Sequence, residues 1–398
     1  MRFLSFFVLS TLLFTYLAIR VARLTRAQGQ ARWAVYAGVF ASLAAGIGTQ
    51  AVYRNWTLPP DAYGMDQIAL VAFTAIGFLV SIALLLIPID VALALGKGAL
   101  WLREKFWPSG VRTDRRRWVS EQVVQSAELL FLGGVGVATA SGLISARRGP
   151  FVKEVEVPLG RRFNRTGREL RIAQISDLHV GPTILEGYAE RVVQMTLELK
   201  PDLIVCTGDM VDGTWLQLER HVAPLARLQA PLGVFYCSGN HEYYWGGPEW
   251  IDRFARMGMK VVHNEHQFVE FDGGRIQIAG VPDPAGANFV RAHRSDPEQA
   301  VRGADGSLPE ADLRILLAHR PSACFAGARA GFDLQLSGHT HAGQFFPWAI
   351  YVPLAHPYTR GLNLHEKTWV YVNAGTGYWG PPNRFAVPSE ITLLRVKG

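Results

Sequence analysis

At 398 residues the chain exceeds one ordinary core, so two domains, or a membrane part plus one soluble domain, are expected. Hydrophobic residues make up 49% and charged residues only 18%, an average over two unlike halves, because long apolar runs crowd the first 145 residues. A net charge of +7 ordinarily points to nucleic acid. Here Arg20, Arg23, Arg26, Arg32, Lys97, Arg103, Lys105, Arg112, Arg115, Arg116 and Arg117 lie between apolar segments, where basic residues set membrane topology, and no nucleic-acid partner is expected.

Crossing a bilayer takes about 20 mainly apolar residues in a helix, since lipid offers backbone polar groups no partner. Four stretches qualify, 3–19, 34–53, 68–95 and 129–144. The first has the length of a signal peptide's apolar region, but Arg20 to Arg26 follow it without a small-residue cleavage site, so it reads as a retained helix. Loops after the first and third stretches hold the basic residues, whereas the N-terminus and the second loop carry only Arg2 and Arg54. Basic loops stay cytoplasmic, so both termini and the soluble domain are expected outside. Residues 113–119 (TDRRRWV) loosely resemble a twin-arginine export signal, in the same sense. Arg147, Arg148, Lys153, Arg161, Arg162 and Arg165 blur the asymmetry. Asp90 is the one acid within these stretches, and an interfacial position is expected for it. The expected organisation is a four-helix, all-α transmembrane region over 1–150 and a soluble domain over 151–398.

After Pro150, short β-rich apolar runs alternate with amphipathic stretches, the order of a layered α/β domain. The predicted strands are 170–176, 203–207, 233–238, 276–281, 314–318, 334–337 and 369–373, and the predicted helices 184–199, 215–228 and 248–257. Cys206, Cys237 and Cys324 form no CxxC pair and read as small core residues.

Ligand sites in such sheets form beyond the strand C-termini. Five loops there are rich in donors: Ser176-Asp177-Leu178-His179, Gly208-Asp209-Met210-Val211-Asp212, Gly239-Asn240-His241-Glu242, His319, and Gly338-His339-Thr340-His341. Imidazole with carboxylate or amide oxygen, and no thiolate, suits Mn, Fe, Zn, Co or Ni. Two such ions clamp a phosphoryl group and lower the pKa of a bound water, which is phosphoester hydrolysis without a protein nucleophile.

In order and spacing the five segments resemble the calcineurin-like metallophosphoesterase superfamily, whose signature is D-x-H, G-D-x-x-D, G-N-H-[E/D], H and G-H-x-H. The resemblance implies a four-layer αββα sandwich and two divalent metal ions. It places Asp177, His179 and His341 on one ion, Asn240, His319 and His339 on the other, and Asp209 between them. It makes His241 the proton donor to the leaving group or a phosphate stabiliser, and Asp212 an orienting residue behind the ligands; Glu242 is left open between a surface and a supporting position. Gly338 to Gln344, with Gly375, Gly377, Pro381, Arg384 and Pro388 to Ile391, is similar to the membrane-associated YaeI/YkuE-like group, in which Ala342 is commonly glycine.

Phe345, Phe346, Pro347, Trp348, Ile350 and Tyr351, with Tyr243, Tyr244 and Trp245, are expected to rim the site as an apolar lip or to pack on their own domain. With bilayer helices in the same chain, a lip fits a phospholipid or lipid-linked phosphoester. The alternatives are a cytoplasmic-facing pyrophosphatase similar to the UDP-diacylglucosamine hydrolases, a non-catalytic metal-binding membrane scaffold, and a transporter, which the scarcity of buried charge in the helices disfavours.

Overall fold

A computed structural model describes residues 2–55, 57–106, 117–303 and 305–398; most of the twin-arginine-like stretch lies outside them. The chain forms two compact units, Met1–Gln50 with Val71–Ser141, and Ala51–Leu70 with Gly142–Gly398.

The first unit is helical. Of the described helices, Gly29–Asn55, Ala62–Arg103 and Leu130–Arg148 are long and apolar enough to cross a membrane, and helix Arg2–Leu24 precedes them. Leu17, Ala18, Ile82, Ala83, Leu86 and Val135 form its buried core. Asp90 is paired: Arg20 Nε lies 2.8 Å from its carboxylate and Tyr16 donates to it at 2.8 Å. Pairing removes most of the cost of an isolated charge among apolar helices.

The second unit is built on twelve strands: β1 (Phe151–Pro158), β2 (Leu170–Ile175), β3 (Leu203–Cys206), β4 (Val234–Tyr236), β5 (Lys260–Val261), β6 (Glu265–Phe271), β7 (Gly274–Gly280), β8 (Leu313–Leu317), β9 (Leu334–Ser337), β10 (Gly361–His365), β11 (Thr368–Val372) and β12 (Glu390–Lys397). They form two mixed six-stranded sheets, ordered β1-β12-β2-β3-β4-β5 and β10-β11-β9-β8-β7-β6. Within them β2 to β5 run parallel, as do β7, β8, β9 and β11, so their C-terminal ends share a side.

Alternation along the strands sorts the apolar side chains between layers. Leu170, Ile172, Leu203, Val205 and Phe235 meet Ile276, Ile278, Ile315, Leu317, Leu334 and Leu336 in the core between the sheets. Ala173, Ile175, Ile204, Cys206 and Tyr236 face the other way, onto helices Glu186–Glu198, Trp215–Val222 and Pro248–Arg256. Helices Pro297–Val301 and Cys324–Ala330 lie against the outer side of the second sheet through Ala300, Val301 and Cys324. All three cysteines are buried and free.

Each predicted strand and helix of this unit is present within a few residues. Five strands were not predicted: β1, β5, β6, β10 and β12. β1 and β6 are the edge strands of their sheets and carry charged residues, Lys153, Glu154 and Glu156 in β1 and Glu265 and Glu270 in β6. β12 opens on Glu390, an unfavourable residue for a central strand until Tyr371 and the Ala374 amide donate to it and Lys153 pairs with it.

Ile315 on β8 is fully buried between the sheets. Ile315→Ala is expected to lower the stability of this unit by about 3 kcal/mol, since a large-to-small change there leaves a cavity as well as losing transfer energy. Equilibrium denaturation of the detergent-solubilised chain measures it.

Candidate metal centre

The five donor loops leave the C-terminal ends of β2, β3, β4, β8 and β9. The first two run side by side, because the Asp177 amide donates to Gly208 O at 2.9 Å and the His179 amide to Asp209 O at 3.0 Å. The fifth docks on the first through the His339 amide, 3.0 Å from both Asp177 oxygens. The third docks on the second through the His241 amide, which donates to Asp209 Oδ1 at 2.8 Å. Gly239 is required at that contact: a Cβ there would collide with the Asp209 carboxylate.

Three groups of ligand atoms result: Asp177, His179 and His341; Asp209, His319 and His339; and His179, Asp212 and His241. In the first, His341 Nε2 lies 3.3 Å from Asp177 Oδ1 and 3.0 Å from His179 Nε2. In the second, His319 Nε2 lies 3.1 Å from Asp209 Oδ2 and 3.2 Å from His339 Nδ1. The third is a support: Asp212 accepts from His179 Nδ1 at 3.1 Å with one oxygen and from His241 Nδ1 with the other. A carboxylate or carbonyl only accepts, so a ring nitrogen bonded to one carries a proton: His179 and His241 hold theirs on Nδ1 and turn Nε2 toward the cluster. His319 is fixed in the same way by Thr207 O at 2.7 Å.

Three features fit this set to cations. The Oδ1 of Asn240 is buried without a hydrogen-bond partner, as an acceptor reserved for a ligand would be. The backbones of Asp177, His179, Asp209, His339 and His341 have φ between 49° and 71°, a left-handed conformation costly for residues with a Cβ and concentrated at functional sites. Ala342 shares it at 50°. Finally, Asp177, Asp209, Asp212 and Glu242 bring four carboxylates into one shielded pocket, a burden that positive charge relieves.

Protons take the place of that charge in the metal-free protein. Burial acts against the imidazolium of His319, but Asp209 outweighs it and raises the group to about 10. For His241 burial is again opposed, by Asp212 and Asp209, to about 9. Burial and the neighbouring His319 push His339 down to about 2.

A model of the calcineurin-like phosphoesterase family matches residues 170–343, which take in all five loops. An uncharacterized metallophosphoesterase of Helicobacter pylori (strain J99) is 32% identical over 369 residues, 91% of this chain and 89% of that protein. The chain belongs to the calcineurin-like phosphoesterases. It is also 36% identical over 300 residues to a transmembrane protein with metallophosphoesterase domain of Danio rerio, covering 72% of this chain and 67% of that protein. The Bacillus subtilis metallophosphoesterase YkuE is 34% identical over 235 residues, 57% of this chain and 79% of that one. Hydrolysis of phosphoester bonds is the reaction of this family, and the phosphoesterase unit carries candidate groups for the metal it depends on.

Some residues of this site were not legible in the motifs. Glu242, left open above, is fully buried and accepts from the amides of Gly239 (2.8 Å), Asp209 (3.1 Å) and Met210 (2.6 Å), tying the third loop to the second. Its spacing three residues after Gly239, as in a capping box, was the available signal. Arg384 is buried with Nη2 3.0 Å from His341 Nδ1 and Nη1 donating to Ala374 O at 2.8 Å. The exposed ring of Trp379 stands 5.6 Å from His241. Of the expected lip, Tyr244, Phe346, Trp348 and Ile350 are exposed. Phe345, Pro347 and Tyr243 are buried instead, and Trp245 packs edge-on against Tyr53.

Two outcomes follow for the metal-free protein. Glu242→Ala strands three buried amides and is expected to cost about 3 kcal/mol in thermal or chemical unfolding, with weaker metal binding. Above about pH 6.5, His241 up to about pH 9 and His319 up to about pH 10 are protonated when folded and neutral when unfolded, whereas His339 is neutral in both. Their stabilisation is complete below about pH 6.5 and lost as pH rises through 9 to 10, so the unfolding midpoint in chelator is expected to fall across that window. Saturating Mn²⁺ is expected to flatten the fall, because cations replace the protons; a parallel fall with and without Mn²⁺ contradicts this.

Proposed function

We propose that the chain is a multi-pass membrane phosphodiesterase or phosphatase using two divalent cations, with a phospholipid or lipid-linked phosphoester as substrate. The observation that carries the reaction is the convergence of five separated loops on one pocket, with paired ring nitrogens and carboxylates and an unpartnered amide oxygen. In this reading Asp177, His179 and His341 hold one ion, Asn240, His319 and His339 the other, and Asp209 offers an oxygen to each. When bound, such a pair neutralises charge on the phosphoryl group and supplies hydroxide near neutral pH. His241, oriented by Asp212, presents Nε2 to the pocket and donates a proton to the departing oxygen. The domain division follows the same reading, a helical membrane region before about residue 150 and the αββα phosphoesterase domain after it.

A lipid substrate is supported by the rim. Tyr244 and Trp379 flank His241 with rings 5.3 and 5.6 Å away. Gln344 bonds both Trp379 O and the Trp379 amide, joining this rim to the loop that exposes Phe346, Trp348 and Ile350. Leu354 in that loop is 85% exposed, a poor choice for a surface that meets only water.

An outer location is supported by the basic residues in the connections between the apolar stretches, which favour the cytoplasmic side. Lys97, Arg103 and Lys105 then fall near the opposite, cytoplasmic face. Three basic residues that blurred the asymmetry are engaged inside the phosphoesterase unit, Arg147 with Thr183 O, Lys153 with Glu390 and Arg161 with Asp333.

The purified chain is expected to hydrolyse bis(4-nitrophenyl) phosphate with at least one of Mn, Zn, Co or Ni and to lose activity in chelator. Asp209→Asn is expected to reduce kcat by about 100-fold or more, the scale of removing one electrostatic catalytic group. Incubation with a membrane lipid extract should deplete one phosphorus species with the native protein only. Inactivity with every metal would revive the scaffold reading. A reporter fused after Gly398 that works only in the cytoplasm would move the site inside and favour the pyrophosphatase reading.

A further inference from the structure

Tyr53 closes the apolar helix Gly29–Asn55, yet its side chain lies in the core of the phosphoesterase unit with Leu218, Val222 and Trp250. The segment around it is fastened there. Gln217 donates to Tyr53 O at 2.6 Å, the Tyr53 and Trp245 rings meet edge-on at 5.7 Å, Arg54 lies over Trp245, and Asp61 pairs with Arg220 and His221.

One of these contacts reaches the metal pocket. The Tyr53 hydroxyl abuts Gly213, where an added Cβ would come within 2.6 Å of it, and Trp250 Nε1 donates to Gly213 O at 2.9 Å. The backbone just after Asp212 is thus gripped by two aromatic side chains, and the Asp212 amide donates to Val180 O at 2.7 Å. Asp212 is the carboxylate that sets both His179 and His241. The Tyr53 hydroxyl is buried with no hydrogen-bond partner, an arrangement that costs free energy. Burial, with the negative charge of Asp212 beside it, raises the Tyr53 pKa well above its ordinary value and keeps the phenol neutral.

We infer that Tyr53 is a positioning residue of the metal centre, acting through Gly213 to hold Asp212 where it orients His179 and His241. The inference rests on the metal-centre reading above. It makes the end of a candidate membrane helix part of the pocket's wall, so the phosphoesterase domain is completed by a residue from outside 151–398.

The test uses the full chain in detergent and compares Tyr53→Phe, which removes only the hydroxyl, Tyr53→Leu, which keeps apolar volume but is too short to reach Gly213, and Val222→Ala, a matched core change. Mn²⁺ affinity by equilibrium dialysis, kcat and KM on bis(4-nitrophenyl) phosphate, and the thermal midpoint are read for each. Tyr53→Leu is expected to lose about tenfold or more in Mn²⁺ affinity and kcat, as residues behind metal ligands do, with KM little changed. Tyr53→Phe should lose about threefold, an intermediate effect on the same scale. Val222→Ala should lower the midpoint without altering affinity. Native Mn²⁺ affinity in either folded Tyr53 variant overturns the inference, as does an equal loss in Val222→Ala. Absence of Mn²⁺ binding and turnover in the native chain overturns the metal-centre reading and this inference with it.

Discussion

The site depends on keeping four carboxylates, those of Asp177, Asp209, Asp212 and Glu242, close together and away from water. Like charges in a low-dielectric pocket repel strongly, and each also loses hydration. The fold answers with directed donors. Amides of His339 and His241 point at Asp177 and Asp209, three amides point at Glu242, and two imidazoles point at Asp212. Toward the cluster turn the Nε2 of His179, the Nε2 of His319 bonded to Asp209, and the free oxygen of Asn240, while His341 Nδ1 accepts from the Arg384 guanidinium. In the metal-free pocket protons on His241 and His319 offset part of the carboxylate charge, the place a cation would take.

Such convergence requires backbone that ordinary loops avoid. Five donor residues in the left-handed region are tolerable only when surroundings dictate the conformation. Here they lie within four residues of the ends of the buried parallel strands β2, β3 and β9, so the rigid part of the domain begins close to the strain. Glu242 extends the same principle. By satisfying amides from two loops, it couples the position of Asp209 to that of Asn240 and His241, so the second and third motifs behave as one object.

Legibility in the sequence followed the range of each interaction. The parallel strands and the D-x-H, G-D-x-x-D, G-N-H-E and G-H-x-H loops are local patterns, and Asp177, His179, Asp209, His319, His339 and His341 come together as ligand groups. Residues that act across the sequence were opaque. Arg384 is named in the family-like tail, but its reach to His341, 43 positions away, is not readable there, and β12 becomes intelligible only when β1 and β2 flank it. Trp379 was hidden for a different reason. It sits among glycine and proline, where nothing local distinguishes a rim residue from any loop aromatic.

The hairpin 51–70 is the farthest case. Composition assigns it to the connection between two apolar helices, and nothing in its residues points to a partner more than 140 positions later. Yet Tyr53 and Asp61 are bonded into the wall of helix Trp215–Val222 and the turn that precedes it. A compact unit is defined by the contacts that bury its surface rather than by continuity of chain. On that criterion the helix end that carries Tyr53 belongs to the phosphoesterase unit, beside the turn that follows Asp212.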